Sequence, residues 1–112
     1  MVSENEIIEM INNKEYTYTF FKKLLNYDLF FPFSGDHFLY VLTDEEHKYI
    51  ALFTNENKIK NMEYTRVDKV KLKTIIEDIY DKGGYYAISI NPYTEDFIIN
   101  KKIIELLKKI YM

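Results

Sequence analysis

The chain reads as an α+β domain, mixed α/β in character, with a partly antiparallel sheet of about five strands flanked by helices. Three observations predict it. Leu72, Ile75, Ile76 and Ile79 fall at i, i+3, i+4 and i+7, and Ile103, Leu106, Leu107 and Ile110 show the same helical kind of spacing. Between the helical stretches lie short runs, 38–43 and 48–53, that are apolar at nearly every position and suit strands covered on both faces. Only three Gly and two Pro among 112 residues leave room for short turns and little else.

Each element follows from local chemistry. Ser3 and Glu6 form an S-x-x-E capping box ahead of Ile7, Ile8 and Ile11, which predicts a first helix ending near Asn12-Asn13. A second helix is expected from about Glu15 to Asn26, with Phe20, Phe21, Leu24 and Leu25 as its buried stripe. The apolar segment Leu29 to Phe33 contains Pro32, which cannot donate to a ladder, so it is expected at a sheet edge or a strand end. Ser34-Gly35-Asp36 is a turn. Phe38 to Thr43 and Lys48 to Phe53 make a hairpin through Asp44-Glu45-Glu46-His47.

Thr54 suits the N-cap of a short helix near Asn55 to Asn61. Glu63 to Val67 reads as a strand, with Asp68 capping the helix that carries Leu72 to Ile79 and stops at Gly83-Gly84. Tyr85 to Ile90 is a strand, Asn91 to Thr94 a turn, and Phe97 to Ile99 a short strand. Asn100 then caps a last helix with Ile103, Leu106, Leu107 and Ile110 on its buried face. No repeat, linker or low-complexity tract interrupts this order, so residues 1–112 are expected to form one domain.

Composition narrows the function. There is no Cys, which removes disulfides and thiolate metal sites. The start, Met1 to Glu6, is acidic rather than basic, unlike a secretory signal. No apolar run approaches the ~20 residues of a membrane helix, so a cytoplasmic protein without a membrane partner is expected. The net charge of -3, with Arg66 the only arginine, argues against direct nucleic-acid binding. Abundant Lys, Ile, Asn and Tyr fit an AT-rich genome, that of a low-GC bacterium or its phages and mobile elements.

Two signatures carry a family resemblance. Phe53-Thr54-Asn55-Glu56 ends the second strand of the hairpin. Ile90-Asn91-Pro92-Tyr93 follows further on, leading into Phe97-Ile98-Ile99 and Ile103 to Leu107. In order and spacing, over nearly the whole chain, this resembles the N-terminal domain of the SseB family, the bacterial enhanced serine sensitivity proteins. Members often carry a further C-terminal domain, so the resemblance implies a stand-alone copy of the N-terminal one. It also implies an alternative function, a small-ligand-binding or housekeeping protein of bacterial amino-acid metabolism, with Thr54 and Asn91 at the pocket.

No catalytic constellation emerges. His37 and His47 lie at a strand edge and in a turn beside carboxylates, without the three or four converging ligands a metal needs. The pairs Glu45-Glu46, Glu77-Asp78 and Glu95-Asp96 are neighbours in sequence and do not point at one another, as a general acid/base pair must. Three glycines cannot build a phosphate or dinucleotide loop. No cofactor and no metal are expected. Asn91-Pro92 either lines a pocket at a strand's carboxyl end or forms a turn whose Asn side chain bonds its own backbone.

The 11 Tyr and 8 Phe are the unusual quantity. A domain this small is not expected to bury them all, and tyrosine is favoured at protein interfaces. The expected recognition residues are Tyr16, Tyr18, Phe30, Phe33, Tyr85 and Tyr93, with Asp44, Glu45 and Glu46 on the hairpin tip. The leading expectation is a non-catalytic binding module, monomeric or weakly dimeric. It would inhibit a larger protein by surface occlusion, as an anti-CRISPR protein or a toxin-immunity protein does. A nucleic-acid-processing enzyme with a basic groove would suit its acidity.

Overall fold

The computed structural model describes residues 2–42, 48–60, 62–78 and 87–111. They form the expected α+β fold: helices α1 (Glu4–Asn12), α2 (Tyr18–Leu25), α3 (Leu72–Asp78) and α4 (Lys101–Tyr111) around two sheets. One sheet has the order β2-β1-β5, with β1 at Asp28–Ser34, β2 at His37–Phe38 and β5 at Arg66–Lys71. The other has the order β3-β4-β6-β7, with β3 at Tyr40–Leu42, β4 at Lys48–Leu52, β6 at Ala87–Ile90 and β7 at Phe97–Asn100. Within it β4 and β6 run parallel, while the β3–β4 and β6–β7 pairs are antiparallel.

The first helix begins as its sequence dictates. Ser3 Oγ accepts the Glu6 backbone N–H at 3.3 Å, and Ile7 and Ile11 are buried. Glu6 itself pairs with Lys23 of α2 and so ties the two helices together. The second helix starts three residues later than expected. Lys14 takes a left-handed backbone, φ 55°, which turns the chain, and Thr17 Oγ1 then caps Phe20 N–H at 3.3 Å. Tyr16 and Tyr18 therefore sit at the exposed entrance to α2 rather than along it.

Pro32 does not mark an edge. β1 is the central strand of its sheet, paired with β5 from Asp28↔Lys71 to Phe33↔Arg66 and with β2 at Phe33↔Phe38 and Ser34↔His37. The other side of β1 is divided. Phe30 exchanges both backbone hydrogen bonds with Phe53, at 2.7 and 3.0 Å, and among the described residues this single bridge joins the two sheets. Pro32 lies between the two pairings. Its carbonyl accepts Leu39 N–H at 3.0 Å, and the reciprocal bond of such a pair is the one proline cannot make.

Two further boundaries move. The strand expected to stop at Val67 continues to Lys71, so Asp68 lies inside β5, paired with Arg66 at 3.1 Å, and caps no helix. Thr54 caps none either: Asn55 Oδ1 accepts Asn57 N–H at 2.8 Å and starts a single 3₁₀ turn, Glu56–Lys58. Gly35, with φ 62°, makes the β1–β2 turn as read.

The strand β4 shows covering on both faces directly. Ile50 and Leu52 enter the main core with Phe20, Leu24, Leu72, Ile76, Ile88, Ile99 and Leu107. Ala51 and Phe53 point the other way, into a smaller cluster with Ile59, Phe30, Met62 and Val67. Every residue of β6 is buried. Leu72, Ile75 and Ile76 of α3 are buried as read, while Ile79, Gly83 and Gly84 lie outside the described residues. Among the described residues no helix is long and apolar enough to cross a membrane.

The last helix is turned relative to expectation. Asn100 Oδ1 caps it at Ile103 N–H, 2.9 Å. Its buried residues are Ile104 and Leu107, whereas Leu106 is 54% exposed and Ile110 41%. The apolar arc of α4 is wider than the core it faces, and its outer part is left on the surface.

Candidate functional site

The exposed part of that arc forms one wall of a groove of about 1000 Å³. Ile103, Leu106 and Ile110 of α4 line this wall. Facing them stand Tyr16, Tyr18 and Phe21, from the start of α2 and the residues before it. Phe97 and Ile98 of β7, with Ile11 and Leu107, complete the lining.

Local contacts hold the aromatic wall. Tyr16 stacks on Phe97, with centroids 5.0 Å apart and planes at 30°, and its hydroxyl donates to the Ile11 carbonyl at 3.4 Å. Phe97 meets Phe20 edge-on at 5.5 Å. Tyr18 meets Tyr111 edge-on at 6.3 Å, and the Tyr111 hydroxyl donates to the Tyr18 carbonyl at 3.0 Å, so the end of α4 is tied to the start of α2. The walls are thus positioned while their apolar faces stay open: Tyr16 is 45% and Tyr18 69% exposed. Contiguous apolar surface of this kind marks interaction sites.

Charges of both signs lie around the groove: Lys14, Glu95 and Asp96 line it. The helix α4 carries Lys101, Lys102, Lys108 and Lys109 against one acid, Glu105. Lys102 and Lys109 stand at i−4 and i+3 from Leu106 and border it on the solvent side. Lys14 lines the groove, followed in sequence by the exposed Glu15. Glu95 and Asp96 also line it, but both are engaged within the protein. Glu95 Oε1 accepts from Lys58 at 2.9 Å, Asn91 at 2.8 Å and Thr94 at 2.9 Å, and Asp96 Oδ1 accepts from Ser89 at 2.9 Å. Burial pushes the Glu95 pKa up, but those donors and the Lys58 charge outweigh it, and the carboxyl titrates below its ordinary range.

The Thr54/Asn91 pair is a different kind of site. Asn91 is fully buried, with a left-handed φ of 55°. Its Oδ1 accepts Thr54 N–H at 2.9 Å, while Nδ2 donates to Thr54 Oγ1 at 2.9 Å and to Glu95. The Thr54 hydroxyl donates onward to Glu4 of α1 at 2.7 Å, and Tyr27 donates its hydroxyl to the Thr54 carbonyl at 3.0 Å. This network fastens the carboxyl ends of β4 and β6 to α1. Asn91 thus spends its side chain on Thr54 and Glu95 rather than on its own backbone.

The other expected residues are dispersed. Phe30 is half-buried in the smaller core cluster, with Lys69 Nζ 5.5 Å from its ring centre, and lines a separate, more polar depression with Thr54. Phe33 lies under the Arg66 guanidinium at 4.3 Å. Tyr93, 39% exposed, stacks near Phe53 with centroids 6.4 Å apart. Asp44, Glu45, Glu46, His47 and Tyr85 lie outside the described residues. Of the expected residues that are described, Tyr16 and Tyr18 alone share the groove. Leu106 and Ile110, read as core, belong to it, and the lysines flanking Leu106 were the available signal. Among the described residues no three His, Asp or Glu side chains gather as metal ligands.

Compared with known proteins, the chain matches no family model, no curated protein and no solved structure.

Proposed function

We propose that this chain is a non-catalytic protein-binding module whose recognition surface is the groove between α2 and α4, and that it acts by covering a surface of a larger partner. One observation carries the reading: Tyr16, Tyr18, Leu106 and Ile110, four of the six large apolar side chains exposed among the described residues, converge on one groove. Tyrosines held by their neighbours contribute contact area at low entropic cost, as interface anchors do. Inhibition by occlusion, in the manner of an anti-CRISPR or an immunity protein, is the use of such a surface that the small size favours.

The SseB resemblance enters the same proposal. Its two signatures meet at Thr54 and Asn91, and their side chains saturate one another there. That supports a structural role for the pair.

The test is differential capture from a lysate of the native host. A protein retained by the immobilised wild type and lost from Tyr18→Ala/Leu106→Ala, with both proteins melting at the same temperature, supports the reading. Equal capture by the two sinks it.

A further inference from the structure

We infer that the groove takes an extended segment of the partner, which adds as a further strand to the free edge of β7. This rests on the reading of the groove as a protein-docking surface and goes on to name the form of what docks there.

The pairing of the sheet shows which backbone groups reach that edge. Asn91 N–H donates to the Leu52 carbonyl at 2.8 Å, so Asn91 and, two residues earlier, Ser89 turn their backbone groups toward β4. Alternation directs those of Ile88 and Ile90 toward β7, where they meet Ile99 and Phe97. Ile98, opposite Ser89, is left with its N–H and C=O pointing outward, and the Asn100 N–H points the same way. β7 ends its sheet, and none of these three groups has a hydrogen-bond partner among the described residues.

The groove runs along this edge. Phe97 and Ile98 are successive residues whose side chains leave β7 on opposite faces, yet both line it. Tyr16, stacked on Phe97, and Leu106 of α4 supply apolar walls beside the strand. An added strand would set its main chain against Ile98 and every second side chain against those walls. Main-chain hydrogen bonds then give affinity and the apolar lining gives selectivity, as in other cases of strand addition.

Composition separates this edge from that of β5. Four of the six residues of β5, Arg66, Asp68, Lys69 and Lys71, are charged, the usual device that discourages pairing at an edge. β7 is Phe97-Ile98-Ile99-Asn100, with neither charge nor proline. Its neighbours limit the addition to a short segment: Asp96 is left-handed at φ 48° on one side, and Asn100 caps α4 on the other. A partner helix spends its backbone groups internally and an acyl chain has none, so neither could satisfy Ile98. An extended peptide answers both the apolar walls and the open backbone.

The test uses the intact protein and a fluorescein-labelled, end-capped peptide with Ile at alternate positions and Thr between. Two derivatives are N-methylated, one at the Ile residues and one at the Thr residues, which removes the amide donors from one edge of the extended chain at a time. Fluorescence anisotropy is expected to show binding of the parent peptide and roughly tenfold weaker binding of one methylated form than of the other. Amide hydrogen exchange at Ile98, read by NMR, should slow when the parent peptide is added. Ile98→Pro removes an N–H that the fold does not use, so it should abolish binding with an unchanged melt. If that variant does not fold, the exchange of Ile98 in the wild type decides.

Binding that ignores methylation in both registers, or that leaves Ile98 exchange unchanged, overturns strand addition while the docking surface stands. Failure of the parent peptide to bind also overturns it, and the differential capture above then judges the binding module by itself. Concentration-dependent dimerisation in sedimentation that Ile98→Pro abolishes overturns it in favour of a second copy.

Discussion

Asn91 holds Thr54 at two points, accepting its backbone N–H and donating to its hydroxyl, each at 2.9 Å. The two residues are 37 positions apart in sequence and end neighbouring parallel strands. Asn91→Ala removes the acceptor for a buried N–H and is expected to cost about 2–3 kcal/mol in urea denaturation. Asn91→Asp keeps the acceptor but sets a second carboxylate where an amide donated to Glu95. Its deficit against the wild type should be larger at pH 7 than at pH 4. A deficit independent of pH would show that Glu95 is not the neighbour that matters.

Leu106 and Leu107 separate surface from core at adjacent positions. Leu107, 2% exposed, should not tolerate Asp, because an unpaired charge in the core costs several kcal/mol. Leu106→Asp should leave stability within about 1 kcal/mol of the wild type. Thermal melts of the two variants decide it, and loss of folding in both would place Leu106 back in the core.

Acid stability should carry the mark of Glu95. Its folded pKa is depressed, so the unfolded chain takes up the proton first as pH falls. The stabilisation is complete above the ordinary carboxylate range, near ~4.3, and is lost as pH drops through the lower folded value. The urea midpoints of wild type and Glu95→Gln should therefore differ at pH 7 and converge on acidification. A constant gap across that window would contradict this assignment.

Asp68 distinguishes strand from helix cap. As an N-cap its replacement by Ala would cost about 1 kcal/mol. Inside β5, in a half-exposed pair with Arg66, Asp68→Ala should change stability by no more than about 0.5 kcal/mol, measured in the same denaturation series.

The fold class and most element positions were legible because they rest on local signals: Ser3 before α1, the helical spacing of Leu72 to Ile76, and the all-apolar run of β4. Failures occurred where tertiary pairing overrode local preference. Asp68 to Lys71 looks like a capped helix start, yet its pairing with β1 from Asp28 to Phe31 keeps it extended. Pro32 reads as an edge marker, and only the split pairing of β1 explains its central place. The groove was half legible. Tyrosine enrichment pointed to Tyr16 and Tyr18, but periodicity assigns apolar residues to a stripe without saying how much of it the core can cover. Leu106 and Ile110 were misplaced for that reason.

The position of Pro32 also bears on how the strands find their partners. A two-stranded hairpin whose edge offers donors and acceptors without interruption can lengthen by zipping, and nothing local tells it where to stop. Growth of β2 along β1 past Leu39 would reach the backbone of Phe30 and displace Phe53, the only bridge between the two sheets among the described residues. The missing N–H ends the zipper two residues short of that point. One imino acid thus reserves Phe30 for a partner made 23 residues later in the chain, and protects a long-range contact from a faster local competitor during folding.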